Sequence, residues 1–175
     1  MKWLLIAGGI LLLLILVVVA IGAALPRDHV ATGQVRVNAS RTAVWAIVTD
    51  IDAFPAWRPG VTRVERLPDR DGRPVWVEHS SSDRITFAVD ASRPAEQWVV
   101  RIADPNLPFG GTWTYDVREA DGGTLLTITE RGEVYNPIFR FVSRFVLGNE
   151  QTIKTYLTAF EGRANQGGME STRGI

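Results

Sequence analysis

The chain has no cysteine and only two histidines among its 175 residues. The absence of cysteine excludes disulfide bonds, thiolate nucleophiles and cysteine-ligated metal sites. The histidines, His29 and His79, are far apart in the sequence and no cluster of carboxylates accompanies them. A phosphate-binding glycine loop is also missing, since the paired glycines have the composition of hairpin turns. The sequence therefore predicts neither a metal site nor a cofactor.

An excess of charge of one sign is absent as well. The chain carries 19 basic and 19 acidic residues, so its formal net charge is zero, and no block of like charge occurs. A nucleic-acid-binding surface requires a basic patch or stripe. We therefore predict that nucleic acid is not a partner.

One long apolar run is present near the N-terminus. Residues 3–25 contain no charge, and as a helix they would rise about 34 Å, enough for a hydrocarbon core of about 30 Å. A cleaved signal peptide is the alternative, because Lys2 precedes the run and small residues end it, but the run exceeds the usual apolar region of about 7 to 15 residues. We predict that residues 1–26 form a retained single-pass membrane anchor. The very short segment before the span favours a domain outside the cytoplasm.

The remaining chain is long enough for one domain with a hydrophobic core, and most of it has the pattern of β-strands. Apolar and polar residues alternate, as at Ile85, Phe87 and Val89, and Asp121-Gly122 is a strong hairpin signal. The strands are predicted at residues 29–38, 60–67, 73–80, 83–91, 97–103, 111–118 and 124–134. Seven strands with short connections predict a single antiparallel sheet.

Two helical regions are predicted, one after the first strand and one after the last. Ser40 is a suitable N-cap for a helix at residues 41–49, and a shorter helical turn follows it. A long C-terminal helix is predicted from Pro137 to about residue 164, with a kink or break at Gly148-Asn149. Residues 166–175 are glycine-rich and polar, which predicts a disordered tail.

Several short motifs, in this order and spacing, resemble one known family. They are residues 44–50 (VWAIVTD), 54–57 (FPAW), 76–78 (WVE), 110–113 (GGTW) and 129–137 (TERGEVYNP). The chain resembles the polyketide cyclase/dehydrase and lipid-transport group of the START/Bet v 1-like (SRPBCC) superfamily over about residues 30–165.

The resemblance implies an α+β helix-grip fold. In this fold a seven-stranded antiparallel sheet curves around a long C-terminal helix and encloses a hydrophobic cavity; here it would occupy residues 29–165 and follow the transmembrane helix. Members bind lipids, sterols, polyketides or other apolar molecules, and a minority are enzymes. A soluble cyclase would not need the N-terminal span, so the span favours a ligand derived from the membrane.

Aromatic side chains on the predicted strands and helices are the main candidates for a ligand site, because such sites are mostly apolar with a few polar groups. For each aromatic residue, ordinary core packing is the alternative. The segment at residues 138–147 is apolar on more than one face, and we expect it to be buried rather than to touch a bilayer. The candidate cavity residues are Trp57, Trp76, Glu78, Phe87, Trp98, Trp113, Tyr115, Ile128, Glu130, Phe141, Phe145 and Tyr156.

Glu130 is the most informative polar candidate, since it follows Leu126 and Ile128 on the apolar face of its strand. A buried carboxylate can take a proton or orient a ligand hydroxyl. The alternative that we favour is that Glu130 pairs with an arginine, Arg58 or Arg101, or that the alternation has already ended at the rim of the strand. Glu78 is a weaker case of the same kind. His79 and the adjacent serines are predicted to form a turn rather than a base–nucleophile pair, because neighbouring side chains on a strand diverge.

We therefore predict a membrane-tethered module that binds a hydrophobic small molecule, a lipid or an isoprenoid-like compound, and we assign no catalytic residue. One alternative is a cyclase, dehydratase or hydrolase acting on a polyketide-like substrate with Glu130 or Glu78 as acid or base. Another is an interaction module whose cavity is filled by its own side chains. The identity of the ligand, cleavage of the leader, the side of the membrane and the oligomeric state stay open.

Overall fold

The computed structural model describes the backbone of residues 2–147 and 151–172. It consists of one long N-terminal helix followed by an α+β domain. The helices are α1 (Lys2–Ala24), α2 (Arg41–Thr49), α3 (Phe54–Trp57), α4 (Pro137–Val142) and α5 (Gln151–Thr172), with a 3-10 turn at Ile51–Ala53 and a π-helical segment at Ser143–Leu147. The strands are β1 (Asp28–Val37), β2 (Arg63–Arg70), β3 (Arg73–His79), β4 (Arg84–Arg93), β5 (Gln97–Ile102), β6 (Phe109–Ala120) and β7 (Gly123–Val134).

The strands form one antiparallel sheet of seven strands in the order β1-β7-β6-β5-β4-β3-β2. Each strand from β2 to β6 pairs with the next strand along the chain, and β1 pairs with β7. The predicted sheet is confirmed. Strands β1 and β2 are therefore its two edges, and the α2–α3 segment connects one edge to the other.

Helix α5 packs on the face of the sheet that carries the core. Ile153 and Phe160 of α5 are almost completely buried, as are Val44 and Val48 of α2. Burial of each such side chain contributes roughly 1.5–3 kcal/mol. A long helix held against a seven-stranded sheet, with α2 and α3 at its side, is the helix-grip fold that the resemblance implies.

The helix caps follow the sequence signals. The Ser40 hydroxyl accepts a hydrogen bond from the backbone N–H of Ala43 (3.2 Å), and α2 has the predicted bounds. The Asn136 side chain accepts from the backbone N–H of Ile138 (2.9 Å), with Pro137 at the first helical position. Both caps supply acceptors for N–H groups that have no partner inside the helix.

Strand β2 differs most from its prediction, starting at Arg63 and continuing to Arg70. Pro68 suggests a turn, but it lies where the pairing of β2 with β3 shifts between Leu67 and Arg70. Proline is tolerated on an edge strand at such an irregularity. The turn itself comprises only Asp71 and Gly72, both with positive φ (51° and 71°), as a two-residue hairpin of the I′ type requires.

The C-terminal helical region includes a π-helical segment, Ser143–Leu147. Helix α4 passes into the π-helical segment, and α5 begins at Gln151. The kink predicted at Gly148-Asn149 lies outside the described residues. Helix α5 continues to Thr172, past its predicted end near residue 164, so residues 166–172 of the predicted tail are helical.

The burial predicted for residues 138–147 is wrong for part of this segment. Ile138, Phe139 and Phe145 are exposed, and Phe145 has 61% of its surface accessible. Arg140 is instead the buried residue of α4, because its guanidinium packs against the end of α1. Among the described residues, α1 alone is long and apolar enough to cross a membrane, with a mean hydropathy of 3.3.

Candidate functional site

A cavity of about 510 Å³ lies between the sheet, α3 and α4. Alternate residues of a strand point to the same face of a sheet, so the cavity is lined on β5 by Trp98, Val100 and Ile102 and on β6 by Trp113 and Tyr115. The alternation of each strand places these side chains on one face. The apolar wall of the cavity therefore follows directly from the strand pattern.

Four aromatic rings make this wall continuous across neighbouring strands. The Trp76 ring stacks on that of Trp98, with centroids 5.8 Å apart and planes at 6°, and on that of Phe87, at 5.7 Å and 22°. The Trp98 ring is 5.4 Å from the Tyr115 ring. Such pairs contribute about 0.5–1.5 kcal/mol each beyond the area that they bury. The wall is thus continuous, and the space in front of it is open.

Seven of the twelve predicted cavity residues line this space: Trp76, Glu78, Phe87, Trp98, Trp113, Tyr115 and Glu130. That any of them binds a ligand stays a prediction.

The other five predicted residues lie elsewhere. Trp57 packs edge-on against Phe160 and Tyr156, and Ile128 is completely buried in the core. Tyr156 lines a smaller neighbouring pocket of about 260 Å³. Phe141 and Phe145 contact each other, with ring centroids 5.0 Å apart, beyond the cavity lining. Their helical phase could not show this, since α4 ends before α5 begins.

Several lining residues were not among the predicted set. Val100 and Ile102 share the face of Trp98, and Ile85 shares the face of Phe87, so the same alternation identifies these three. The remainder lie near the ends of strands, in helices or in the loop after α3, where alternation gives no guide. They are His29, Phe54, Arg58, Pro59, Gly60, Val61, Phe109, Gly110, Gly111, Glu133, Val134, Phe139, Ser143 and Thr152.

One buried ion pair lies in the cavity wall. Arg58 Nη1 donates to Glu78 Oε1 at 2.7 Å, and Trp76 Nε1 donates to the same oxygen at 3.0 Å. The Arg58 guanidinium also lies 4.5 Å above the centroid of the Phe54 ring. Burial disfavours the charge of Arg58, but the carboxylate of Glu78 together with Tyr115 and Tyr156 outweighs it, so the pKa of Arg58 is raised.

This arrangement corrects the proposed partners of Glu130. Arg58 pairs with Glu78, and Arg101 pairs with Asp90, Nε to Oδ1 at 2.6 Å. Glu130 instead faces His29 of β1. The separation from His29 Nε2 to Glu130 Oε1 is 3.7 Å.

Gly132 makes room for this contact. It lies opposite His29 in the β1–β7 register, and a Cβ at Gly132 would overlap the imidazole ring. Glu130 Oε2 is buried and has no hydrogen-bond partner among the described residues. Burial raises the pKa of Glu130, although His29 opposes this shift. A buried carboxyl oxygen without a partner is a place for a ligand donor or a water molecule.

The raised pKa of Glu130 predicts how folding stability depends on pH. Above an unfolded-state pKa near 4.5, the folded protein retains a proton that the unfolded chain releases. The contribution of Glu130 to stability therefore falls as pH rises from this value through the folded pKa. Glu130→Gln removes this contribution, so we expect its free energy of unfolding, relative to that of the unmodified protein, to rise with pH, measured by urea denaturation from about pH 4.5 upward.

Glu119→Gln is the matched control. It makes the same substitution at an exposed side chain of β6, six residues along that strand from Trp113, the residue that pairs with Glu130. Its pH dependence should equal that of the unmodified protein. The same slope for Glu130→Gln and the unmodified protein would contradict a raised pKa at Glu130.

Other polar residues do not assemble a reaction centre within the described parts of the chain. His79 lies 3.1 Å from Glu65 Oε2 and 2.9 Å from the Arg63 guanidinium. The Ser80 hydroxyl accepts from the backbone N–H of Asp83 in the β3–β4 turn, as the turn prediction requires. Over residues 2–147 and 151–172, no group of three or more His, Asp or Glu side chains could hold a metal ion.

Comparison with known proteins supports the helix-grip fold. A family model described as polyketide cyclase/dehydrase and lipid transport matches residues 28–163. No curated protein matches the chain.

Solved structures share the fold at low sequence identity. The Zhui aromatase/cyclase from Streptomyces sp. R1128 is 18% identical, with a TM-score of 0.65 over 79% of this chain and 94% of that one. A START superfamily protein from Mycobacterium smegmatis is 23% identical, with a TM-score of 0.61 over 79% and 98%. Ara h 8.0201 is 14% identical, with a TM-score of 0.59 over 79% and 99%. These likenesses show the fold.

Proposed function

We propose that this member of the polyketide cyclase/dehydrase and lipid transport family binds an apolar small molecule taken from a membrane. The family is part of the START/Bet v 1-like superfamily. The observation that carries the proposal is the aromatic-lined cavity of about 510 Å³. Ligand sites typically measure roughly 300–1,000 Å³ and are mostly apolar with a few polar groups. Here the polar groups are the Arg58–Glu78 pair and Glu130.

Binding in such a site needs no chemical step. The apolar lining supplies affinity of about 25 cal/mol per Å² of ligand surface removed from water. The unpartnered oxygen of Glu130 supplies orientation, since a protonated or ionised carboxyl at that point can pair with a hydroxyl of the ligand.

We infer that α1 is a retained anchor that holds the domain at a membrane. Only residues 25–27 separate α1 from β1, so at about 3.5 Å per residue the domain stays within roughly 15 Å of the end of the span. Exposed apolar side chains lie at this end of the domain: Val30, Tyr135, Ile138, Phe139 and Phe145. Phe139 also lines the cavity, which supports an opening toward the bilayer.

Quenching of tryptophan fluorescence by brominated lipids tests this proposal. The full chain carrying Trp3→Phe, which removes the tryptophan of α1, is placed in nanodiscs whose lipids have brominated acyl chains. We expect quenching of the cavity tryptophans, and we expect Val100→Phe to reduce it several-fold because the added ring fills the space beside Trp98 and Trp113.

Val99→Phe is the matched control, since Val99 is the adjacent residue on the opposite face of β5 and does not line the cavity. It should leave the quenching unchanged. Val100→Phe is accepted only if its thermal unfolding remains cooperative; otherwise Ile102→Phe, at a less buried lining position, takes its place. Absence of quenching in the unmodified cavity, or equal loss in both valine variants, would overturn the proposal.

An enzyme acting on a polyketide-like substrate is the second candidate, favoured by one observation. Glu130 is a partly buried carboxyl of raised pKa beside the cavity, as a general acid requires. A carrier returns its ligand unchanged, whereas an enzyme alters the mass of the extracted ligand with time, and Glu130→Gln would slow that change by about 10²–10⁴-fold. The third alternative, a filled interaction module, is opposed by the open space between the described side chains.

A further inference from the structure

Arg140 joins the end of α1 to α4. Its Nη1 donates to the carbonyl oxygens of Leu25 (3.1 Å) and Ala23 (3.5 Å), and its Nη2 donates to that of Tyr135 (3.1 Å). Gly22 packs so closely on the Pro137 carbonyl that a Cβ at Gly22 would overlap it. A cation at the C-terminus of a helix also complements the helix dipole. The end of α1 and helix α4 therefore form one unit.

A second cavity of about 280 Å³ lies beside this junction, and we call it the arginine cleft. Three arginines, Arg27, Arg140 and Arg144, line it against a single carboxylate, Asp28. Arg27 and Arg144 are exposed, and neither forms an ion pair with any described residue. Arg140 is more than nine-tenths buried, and its Nε has no hydrogen-bond partner in the described chain. Among the described residues, the cleft is thus a concave site lined by more positive than negative charge.

The position of the cleft fixes the depth at which it would meet a bilayer. The apolar helix α1 ends at Ala24, and Leu25 and Pro26 form part of the wall. The cleft therefore begins where the apolar span ends, which is the level of the lipid headgroups.

The arginine cleft also adjoins the large cavity. His29, Val134 and Ser143 line both spaces. A molecule with an anionic group in the cleft could therefore place an apolar chain against the aromatic wall. Guanidinium groups bind phosphate oxygens through short, paired hydrogen bonds.

We propose that the arginine cleft binds the phosphate of a lipid headgroup, so that the ligand of the large cavity is a phosphate-bearing lipid rather than a neutral one. This inference rests on the proposed function, because the acyl chain of that lipid would occupy the large cavity. The cleft adds selection by headgroup to selection by the apolar wall.

The test compares two probes with the same brominated acyl chains, phosphatidic acid and diacylglycerol. The full chain carrying Trp3→Phe is kept in a non-ionic detergent, so that no other phosphate is present, and quenching of the cavity tryptophans gives each affinity. We expect phosphatidic acid to bind at least about tenfold more tightly than diacylglycerol. Arg27→Gln combined with Arg144→Gln should abolish that preference and leave diacylglycerol binding unchanged.

Arg93→Gln combined with Arg118→Gln is the matched control. It removes the same amount of charge at the far end of the sheet. Arg118 is remote from the cavity because β6 extends about 30 Å from Phe109, which lines the cavity, to Arg118. The preference for phosphatidic acid should persist in this control. Loss of the preference in both double variants would show a general charge effect and overturn the assignment of the cleft.

The remaining outcomes separate the inference from its premise. Equal affinity of the unmodified chain for the two lipids overturns the phosphate site alone, since diacylglycerol still reports the apolar cavity. Quenching by neither lipid overturns the proposed function as well. Inorganic phosphate at the lipid's concentration should not displace phosphatidic acid; displacement would assign the cleft to free phosphate and overturn the lipid assignment.

Discussion

Arg58→Met is expected to lower the free energy of unfolding by about 3–5 kcal/mol. The substitution leaves Glu78 without its cation, and the Glu78 side chain is only 10% exposed. The remaining hydrogen bond from Trp76 does not replace a charge partner. Urea denaturation with circular dichroism measures the loss.

Two further variants show that the loss comes from an unpaired buried charge. Arg58→Met combined with Glu78→Met should recover most of the lost stability, because replacing both members of a buried pair with apolar residues is often nearly neutral. Arg101→Met breaks the Arg101–Asp90 pair, which is more than a third exposed on each side, and should cost less than about 1 kcal/mol. Equal losses for Arg58→Met and Arg101→Met would contradict this account.

Local patterns were sufficient to predict the sheet. Alternation placed Trp98, Val100 and Ile102 on one face of β5, and the hairpin signal at Asp121-Gly122 placed the β6–β7 turn. These patterns work because the side-chain period of a strand is fixed at two residues. The extent of β2 was missed because proline indicates a turn wherever the tertiary context is unknown, and here the context is an irregular edge strand.

The polar part of the site could not be predicted to the same degree. The pairing of Arg58 with Glu78 joins the residue after α3 to β3, and the sequence offers several arginines for each carboxylate. The His29–Glu130 contact depends on the β1–β7 register, which brings the first strand beside the last. Gly132 was a usable signal, since a glycine inside a strand often marks a close approach of another group.

The resemblance to the family predicted an internal cavity. The position of this cavity relative to α1 is known only from the structure. Family membership alone allows both carriers and enzymes, and the solved neighbours include an aromatase/cyclase at 18% identity, which shows the fold and not the reaction. In this chain α1 contacts α4, a helix that also contributes Phe139 to the cavity wall. Any ligand that enters beside Phe139 would pass the end of α1.

Trp98→Ala is expected to lower the free energy of unfolding by about 3–5 kcal/mol. Trp98 is only 4% exposed, and its ring stacks on that of Trp76 and contacts that of Tyr115 at a tilt of 41°. Because the ring also borders the large cavity, its removal enlarges an existing space that connects with the exterior. Indole should bind there and restore stability, by about 2.7 kcal/mol at a hundred times its dissociation constant.

Phe160→Ala is the control for the rescue by indole. Phe160 is completely buried in the core and does not line the cavity, so its removal should cost a similar amount of stability. The space that it leaves is smaller than indole and closed, so indole should not restore it. Rescue of Trp98→Ala alone would mean that the aromatic wall faces a space which accepts apolar molecules from outside. Failure to rescue either variant would mean that the space is closed in solution, and the filled interaction module would then be the better account of this domain.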